Sequence, residues 1–325
     1  MLEKKRDILF DNIKVVLIIL VVYGHVIEEI RFENEIFLGI YNFIYLFHMP
    51  LFVFCSGAFA KSDKKRIIRK YLIPYIVFQT LYGIFDVYVM KKESFYFLES
   101  YYVLWYILSL AVWSLILPLF SANGNWKKQT LLWSLSALIG LLSGYVEVIG
   151  KEFSLSRILV FFPFFLAGYY IKQEGFGKDF IKVLGKLKEK KSVRLLCAVL
   201  LVAAGVLVYM AGNRINTWAL YGYTSYEFQG YTVYFRCVQY LAGAGLSILI
   251  FYAIPGKKAY FSFVVRNTMA IYLSHVPMIK LMEKIGIFSN FKDSTIGCFA
   301  YSFVVTGIVI GLGISISYVS LKKKK

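Results

Sequence analysis

The sequence predicts an all-α protein, a bundle of about ten transmembrane helices with both termini in the cytoplasm. The first observation is composition: 59% of the 325 residues are hydrophobic and only 17% are charged, whereas soluble domains have about 45–50% and about 25%. The second is charge: 37 Lys and Arg against 19 Asp and Glu give a net charge of +18. This composition excludes a disordered chain, a fibrous repeat and a secreted disulfide scaffold.

Ten stretches of the sequence are long and apolar enough to be spans. The hydrocarbon core of a bilayer is about 30 Å thick, so a helix needs about 20 apolar residues to cross it. The predicted spans are 8–27, 36–60, 70–90, 97–120, 129–149, 153–173, 193–212, 229–254, 262–284 and 295–320. Since no repeat or low-complexity linker interrupts them, we predict a single membrane domain over residues 1–325 with no appended soluble domain.

Basic residues concentrate in the connections that follow the even-numbered spans. These basic connections lie within residues 61–70, 126–128, 172–194, 257–266 and 322–325. The odd-numbered connections are neutral or acidic, apart from Lys91 and Lys92 after the third span. Because Lys and Arg accumulate on cytoplasmic loops, both termini should be cytoplasmic and the number of spans should be even.

The same distribution indicates which partners to expect. The basic residues are divided among separate short loops, which argues against nucleic acid and favours contact with anionic lipid of the bilayer. Residues 172–194 could form a short amphipathic helix on the cytoplasmic surface. The four cysteines stand singly in apolar stretches without a CxxC pair, so we interpret them as buried hydrophobic residues and expect no metal site.

The first span carries an unusual series of polar residues. At about 100° per residue, Lys14 and His25 point within about 20° of each other, roughly 16 Å apart along the helix axis. Asp11 lies one turn before Lys14, and Asp7 falls on the same stripe. Ionisable side chains inside a membrane are costly and usually face a functional interior. The alternative is that Asp11 and Lys14 form an ion pair and that His25 is an interfacial histidine.

Other polar residues in the spans are further candidates. His48, two residues before Pro50, is either a ligand or proton carrier, or a histidine that fills a helix kink. Arg66 and Arg69 share a face at the start of the third span, where they either bind phosphate or anchor the helix in the cytoplasm. Arg157 near the outer surface either attracts an acceptor or extends to the headgroups. His275 is a third intramembrane histidine.

Taken together, these segments resemble the acyltransferase-3 family of integral membrane O-acyltransferases, and within it the fucose 4-O-acetylase-like branch. The resemblance follows the family order over most of the chain. The matching segments are residues 11–14 (DNIK), 21–25 (VVYGH), 47–52 (FHMPLF), 56–57 (SG), 66–69 (RIIR), 71–74 (YLIP), 104–106 (LWY), 162–168 (FPFFLAG) and 271–275 (IYLSH).

The resemblance implies residue roles. The family pattern of a basic residue, ten positions and a histidine falls on Lys14 and His25, although many members have arginine where this chain has Lys14. The paired arginines of the family fall on Arg66 and Arg69. The implied reaction is transfer of an acyl group, usually acetyl from cytoplasmic acetyl-CoA, to a hydroxyl of a cell-envelope glycan or lipid-linked sugar, at the bacterial plasma membrane. Many relatives carry an extracellular transfer domain, so the chain either acts alone or has a separate extracellular partner.

These roles combine into a mechanism. Arg66 and Arg69, with Lys65 or Lys14, would hold the coenzyme phosphates, and the thioester would reach His25. His25 acts either as general base on the acceptor hydroxyl or as a transient acyl carrier. Asp11 belongs to this catalytic group as the carboxylate that positions Lys14.

The residues assigned to substrate binding are Arg157, His48 and His275. A transporter of protons or of a glycan precursor would also use a polar face on the first span, but it would not need Arg66 and Arg69. A membrane scaffold without activity is the third alternative.

Overall fold

In the described part of the chain, the computed structural model is a helical protein. It describes the backbone of residues 7–256, 258, 260–291 and 293–322, and the side chains in these ranges except those of 179–184, 290 and 319–322. These ranges contain one isolated β-bridge, between Glu99 and Glu152, and no β-strand. The all-α prediction is confirmed.

Eleven helices of eight or more residues occur in the described residues. They are α1 Ile8–Val26, α2 Glu35–Gly57, α3 Lys64–Val89, α4 Trp105–Phe120, α5 Trp126–Leu142, α6 Leu155–Glu174, α7 Lys178–Glu189, α8 Lys191–Ala211, α9 Val233–Ala253, α10 Ser262–Ile285 and α11 Thr295–Lys322. Each predicted span has a helical counterpart, and α7 is the helix foreseen between the sixth and seventh spans.

Seven of these helices are long and apolar enough to cross a membrane, namely α1, α2, α3, α6, α8, α9 and α11. Helix α4 is apolar but shorter, and α5 has 17 residues. Helix α10 is long but carries Arg266, Lys280, Glu283 and Lys284. A helical membrane bundle is therefore confirmed, while the number of ten spans stays a prediction.

The predicted start of the fourth span at residue 97 is wrong, because residues 97–104 are not helical. The buried amide of Gln79 holds this segment in a different conformation. Its Nε2 donates to the carbonyls of Phe97 (3.1 Å) and Glu99 (2.7 Å), and its Oε1 accepts from the Tyr101 N–H (2.8 Å). Backbone groups that are satisfied in this way need no helix.

The chain divides into two compact units. The first unit comprises residues 1–48, 188–215 and 246–325. Its centre is the packing of α1 against α10 and α11. The buried Asn12 ties the loop before α10 to α1, since its Nδ2 donates to the carbonyls of Pro255 (2.8 Å) and Lys258 (2.7 Å) and its Oδ1 accepts from the Tyr260 N–H (2.9 Å).

The first unit also contains an apolar groove of about 300 Å³ between α2 and α8. At its edge Gly39 lies directly against Tyr209, which leaves little room for a Cβ atom. The rest of α8 is packed sparsely, because only 6% of its apolar stretch is buried.

The second unit comprises residues 49–187 and 216–245. In it α6 packs against α4 and α5, and two glycines allow α6 to contact the end of α2. A Cβ on Gly57 would overlap the carbonyl of Phe165, and a Cβ on Gly168 would overlap the carbonyl of Phe54. The two backbones therefore touch, as small residues permit in membrane helices.

A fully buried arginine, Arg236, joins three segments of the second unit. Its guanidinium donates to the carbonyl of Gly140 (3.0 Å), to that of Thr224 (3.5 Å) and to the hydroxyl of Tyr231. It also lies over the Tyr226 ring, 4.7 Å from the centroid. Carbonyl dipoles and aromatic faces partly replace the water that a buried cation loses.

Candidate active site

The three histidines of the sequence meet in the first unit, although they come from three different helices. The rings of His25 on α1 and His275 on α10 have centroids 5.2 Å apart. The ring of Tyr45 lies 6.2 Å from that of His25 and 4.6 Å from that of His48, which is one turn further along α2. We call His25, Tyr45, His48 and His275 the histidine cluster.

His25 lies in the last turn of α1, where it remains partly exposed. Asp7 caps the N-terminus of this helix by accepting from the Phe10 N–H. The side chain of His25 is 14% exposed, and its Nδ1 lies 3.3 Å from Glu28 Oε2 and 3.4 Å from the Tyr45 hydroxyl. An ionised carboxylate can only accept hydrogen bonds, so this contact requires the proton on Nδ1. Nε2 is then the basic nitrogen of neutral His25.

His48 and His275 are fixed in the same tautomer by their own helices. Nδ1 of His48 lies 2.8 Å from the Ile44 carbonyl. Nδ1 of His275 lies 2.7 Å from the Tyr272 carbonyl and 3.2 Å from that of Ile271. Carbonyl oxygens accept and never donate, so Nδ1 carries the proton in both rings. Both histidines are buried.

Aromatic stacking holds Tyr45 in place beside His25. Its ring stacks on that of Tyr41 with centroids 3.9 Å apart, and the guanidinium of the buried Arg31 lies 4.1 Å from the Tyr41 centroid. Arg31 Nε in turn donates to the Glu28 carbonyl (3.1 Å). Tyr41 and Arg31 therefore help to hold Tyr45 and Glu28, the two residues that contact His25, in position.

Carboxylates gather where α1 ends, and we call Glu28, Glu29, Glu33 and Glu283 the acidic rim. Partial burial, followed by the charges of Glu28 and Glu33, raises the pKa of Glu29 above its usual value. Glu283 on α10 interacts electrostatically with both Glu28 and Glu29. Of these carboxylates, Glu28 contacts His25 directly, at 3.3 Å from Nδ1.

Lys14 and Asp11 are on α1, closer to its N-terminus than His25. Both side chains are partly buried. Lys14 and His25 are eleven positions apart, which corresponds to about 16 Å of helix, so Lys14 is not part of the histidine cluster. Asn12, which lies between Asp11 and Lys14 in the helix, has the structural role described above.

Arg66 and Arg69 belong to the second unit and lie at the start of α3. Asp63 caps this helix by accepting from the Arg66 N–H (3.2 Å). The side chain of Arg66 is hydrogen bonded to the Tyr71 hydroxyl. Arg69 is exposed and lies in a π-helical segment, Ile68–Leu72. Such segments interrupt an α-helix and often occur at functional sites.

Arg157 also belongs to the second unit, where it connects loops. Its Nε donates to the Tyr221 carbonyl (3.2 Å) and its Nη1 to that of Tyr102 (3.3 Å). The guanidinium lies 5.1 Å from the ring centroids of both Trp105 and Tyr223. It is partly exposed.

The structure thus brings His25, His48 and His275 together. Sequence reasoning missed two of their neighbours, Glu28 and Tyr45. A signal existed for both, because Glu28 follows His25 by three residues and Tyr45 precedes His48 by three, a spacing that places side chains side by side on a helix. Within the described ranges, no group of three His, Cys, Asp or Glu is placed to hold a metal ion. Cys55, Cys197 and Cys298 are buried and Cys237 is partly buried, all as free thiols.

Comparison with known proteins places the chain in a family. A family model described as an acyltransferase domain, that of the acyltransferase-3 family, matches residues 7–318. The nodulation protein NolL of Sinorhizobium fredii (strain NBRC 101917 / NGR234) is 47% identical over 60 residues, which are 18% of this chain and 16% of that protein. No solved structure matches the chain. Because the family model covers nearly all of the sequence, the chain belongs to the acyltransferase-3 family.

Proposed function

We propose that the protein is a membrane O-acyltransferase that moves an acetyl group from cytoplasmic acetyl-CoA to a hydroxyl of a cell-envelope glycan. The family supports acyl transfer. The observation that carries the chemistry is the contact between His25 Nδ1 and the Glu28 carboxylate (3.3 Å), because it leaves Nε2 as a base on a partly exposed imidazole. A histidine with an orienting carboxylate is a common arrangement for activating a hydroxyl.

The reaction follows from this arrangement. Nε2 of neutral His25 takes the proton of the acceptor hydroxyl while the hydroxyl oxygen bonds to the thioester carbonyl carbon. The carbon–sulfur bond then breaks, and the coenzyme thiolate leaves and takes up the proton from the imidazolium. Glu28 stabilises the imidazolium while it exists, since an opposite charge at hydrogen-bonding distance favours the charged form. The products are an O-acetyl ester and free coenzyme.

The coenzyme phosphates are assigned to Arg66 and Arg69. Guanidinium groups bind phosphate through paired hydrogen bonds, and the exposed Arg69 can reach a ligand from solvent. The basic connections would then lie on the cytoplasmic side of a bacterial plasma membrane, where acetyl-CoA is available. Arg157, as a partly exposed cation among aromatic rings, is proposed to contact the glycan.

The test is acetyl transfer by the purified full chain in lipid nanodiscs. The donor is labelled acetyl-CoA, and the acceptor is envelope glycan extracted from a strain that lacks the gene. We expect His25→Ala to lower kcat by about 10²- to 10⁴-fold, the usual contribution of a general base. Undiminished transfer by this variant would remove the base assignment, and glycan flux without ester formation would favour a transporter.

The same preparation tests the phosphate assignment. We expect Arg69→Gln to raise the KM for acetyl-CoA by about tenfold, because it removes a charge-assisted hydrogen bond to phosphate. Lys61→Gln, which removes an exposed cation from the same connection, is the matched control. An equal effect of both variants would mean that general positive charge, rather than Arg69, attracts the coenzyme.

A further inference from the structure

We propose that His275 selects the acceptor by accepting, at Nε2, a hydrogen bond from a second hydroxyl beside the one that is acylated. This inference rests on the proposed acyl transfer at His25. It assigns a specificity-determining residue to the reaction and narrows the acceptor to a neutral compound with hydroxyls on adjacent carbons.

The first step of the argument is the fixed tautomer of His275. The side chain is 0% exposed, and its Nδ1 is bonded to the carbonyls of Tyr272 and Ile271, one turn back on α10. The two nitrogens are separated by one carbon of the five-membered ring and point in diverging directions. Nε2 therefore points away from these carbonyls with a lone pair and no proton, and it can only accept.

The second step is that this acceptor has no donor within the described residues. Nε2 of His275 is buried and makes no hydrogen bond to any of them. Leaving a buried polar atom unsatisfied is unfavourable, so a nitrogen in this position is suited to a ligand that brings an O–H group. A carbonyl or carboxylate group of a ligand could not serve, because it has no proton to donate.

The third step is the distance between the two imidazoles. The ring centroids of His25 and His275 are 5.2 Å apart, and the helices that carry them, α1 and α10, pack directly on each other. A ligand whose hydroxyl gives its proton to His25 therefore lies beside the ring of His275 as well. We take hydroxyls on adjacent carbons, rather than hydroxyls one carbon further apart, as the pair that these two nitrogens bind.

The fourth step concerns charge. Glu28, Glu29, Glu33 and Glu283 form the acidic rim around the His25 end of α1, and Arg31 is buried on Tyr41. Like charges repel, and the Glu28 carboxylate contacts His25 directly (3.3 Å), so a phosphorylated or carboxylated acceptor is disfavoured at this imidazole. The acceptor that fits the cluster and the rim together is an uncharged sugar.

The tautomer can be measured directly, because the chain has three histidines. We would label them with ¹⁵N in the full chain in nanodiscs and assign the signals with His48→Asn and His275→Asn. We expect an unprotonated Nε2 for His275 at neutral pH, and a change of its shift when methyl glucoside is added as the probe. A protonated Nε2, or a signal that does not respond to the probe, would overturn the proposal.

Selectivity is the second measurement, with 1,2-propanediol and 1,3-propanediol as isomeric probe acceptors. We expect wild type to acetylate the 1,2-isomer about three- to tenfold more efficiently, the effect of one hydrogen bond. His275→Asn keeps the Nδ1 contact but not the Nε2 acceptor, so the preference should disappear. His275→Gln places an amide oxygen near the Nε2 position and should restore part of it.

The control is Ser274→Ala, the neighbouring residue on α10, whose hydroxyl is bonded to the Ala270 carbonyl of its own helix. Equal use of the two diols by wild type, an unchanged preference in His275→Asn, or hydrolysis of acetyl-CoA without transfer to either diol would each overturn the role of His275. Loss of all acetyl-CoA turnover in wild type would instead contradict the proposed function.

Discussion

Single residues decide the chemistry of His25. The imidazole has a carboxylate on Nδ1 (3.3 Å), a phenol at 3.4 Å from the same nitrogen and a second imidazole nearby. Glu28 is only 20% exposed, so its interaction with an imidazolium is screened less than a surface pair. In the proposed mechanism, Glu28 positions His25 and stabilises the imidazolium, and the acceptor contacts His25 itself.

We expect Glu28→Gln to lower kcat for acetyl transfer by at least about tenfold, with little change in the KM for acetyl-CoA. The variant keeps the shape of the side chain and loses the charge that stabilises the imidazolium. The matched control is Glu29→Gln, the next carboxylate in the sequence, which is more exposed than Glu28. The measurement is initial rates in nanodiscs, and equal rates for the two variants would show that Glu28 contributes only to the acidic rim.

The sequence was informative about some of these residues. The shared face of Lys14 and His25 follows from helical periodicity, so their placement along α1 could be predicted without the structure. The meeting of His25, His48 and His275 could not be derived in the same way, because these residues are separated by up to 250 positions and their contact depends on how α1, α2 and α10 pack. The Asn12 contacts were missed for the same reason.

At the scale of helices, hydropathy predicted nearly all of the elements. The run of apolar residues sets where a membrane helix exists, since the backbone must satisfy its own hydrogen bonds in lipid. The prediction failed at residues 97–104, where one buried side chain, Gln79, supplies the partners instead. A local polar contact of this kind leaves no periodic signal in the sequence.

The contact between α2 and α6 gives a prediction at this scale. We expect Gly168→Ala to lower the Tm of the purified protein markedly, because the added Cβ would overlap the carbonyl of Phe54 and separate the two backbones. Gly245→Ala on α9 is the matched control, since no atom lies within 4 Å of the Cβ position. Alanine favours helix by about 1 kcal/mol over glycine, so the control should be neutral or stabilising.

Tm measured in detergent micelles distinguishes the two variants of this pair. Similar Tm values would mean that α2 and α6 can separate without loss, and that the close approach contributes nothing to stability.

For the molecule as a whole, the distribution of charge is the feature with the widest consequence. The net charge of +18 resides largely in connections that we place in the cytoplasm. Three members of the acidic rim, Glu28, Glu29 and Glu33, lie in the connection after the first span, which we place on the other side of the membrane. The proposed substrates fit this predicted division, because the proposed donor carries phosphates and the proposed acceptor carries none.

We therefore expect Glu33→Cys to react with a membrane-impermeant maleimide in intact cells, and Lys127→Cys to react only after the membrane is permeabilised. Both positions are exposed and belong to connections of opposite predicted sides. The unsubstituted chain, which contains four cysteines, measures the background labelling by the maleimide. Labelling of Lys127→Cys in intact cells would reverse the topology and with it the proposed side of coenzyme binding.

The sparse packing of α8 has a consequence for how this sequence can diverge over evolutionary time. Lipid tails pack against side chains of many shapes. A helix whose apolar stretch is only 6% buried is therefore selected mainly for being apolar. Leu, Ile, Val and Phe should replace one another there almost freely, except near the Tyr209 contact with Gly39. Homologues should therefore drift fastest along α8 and slowest along α1.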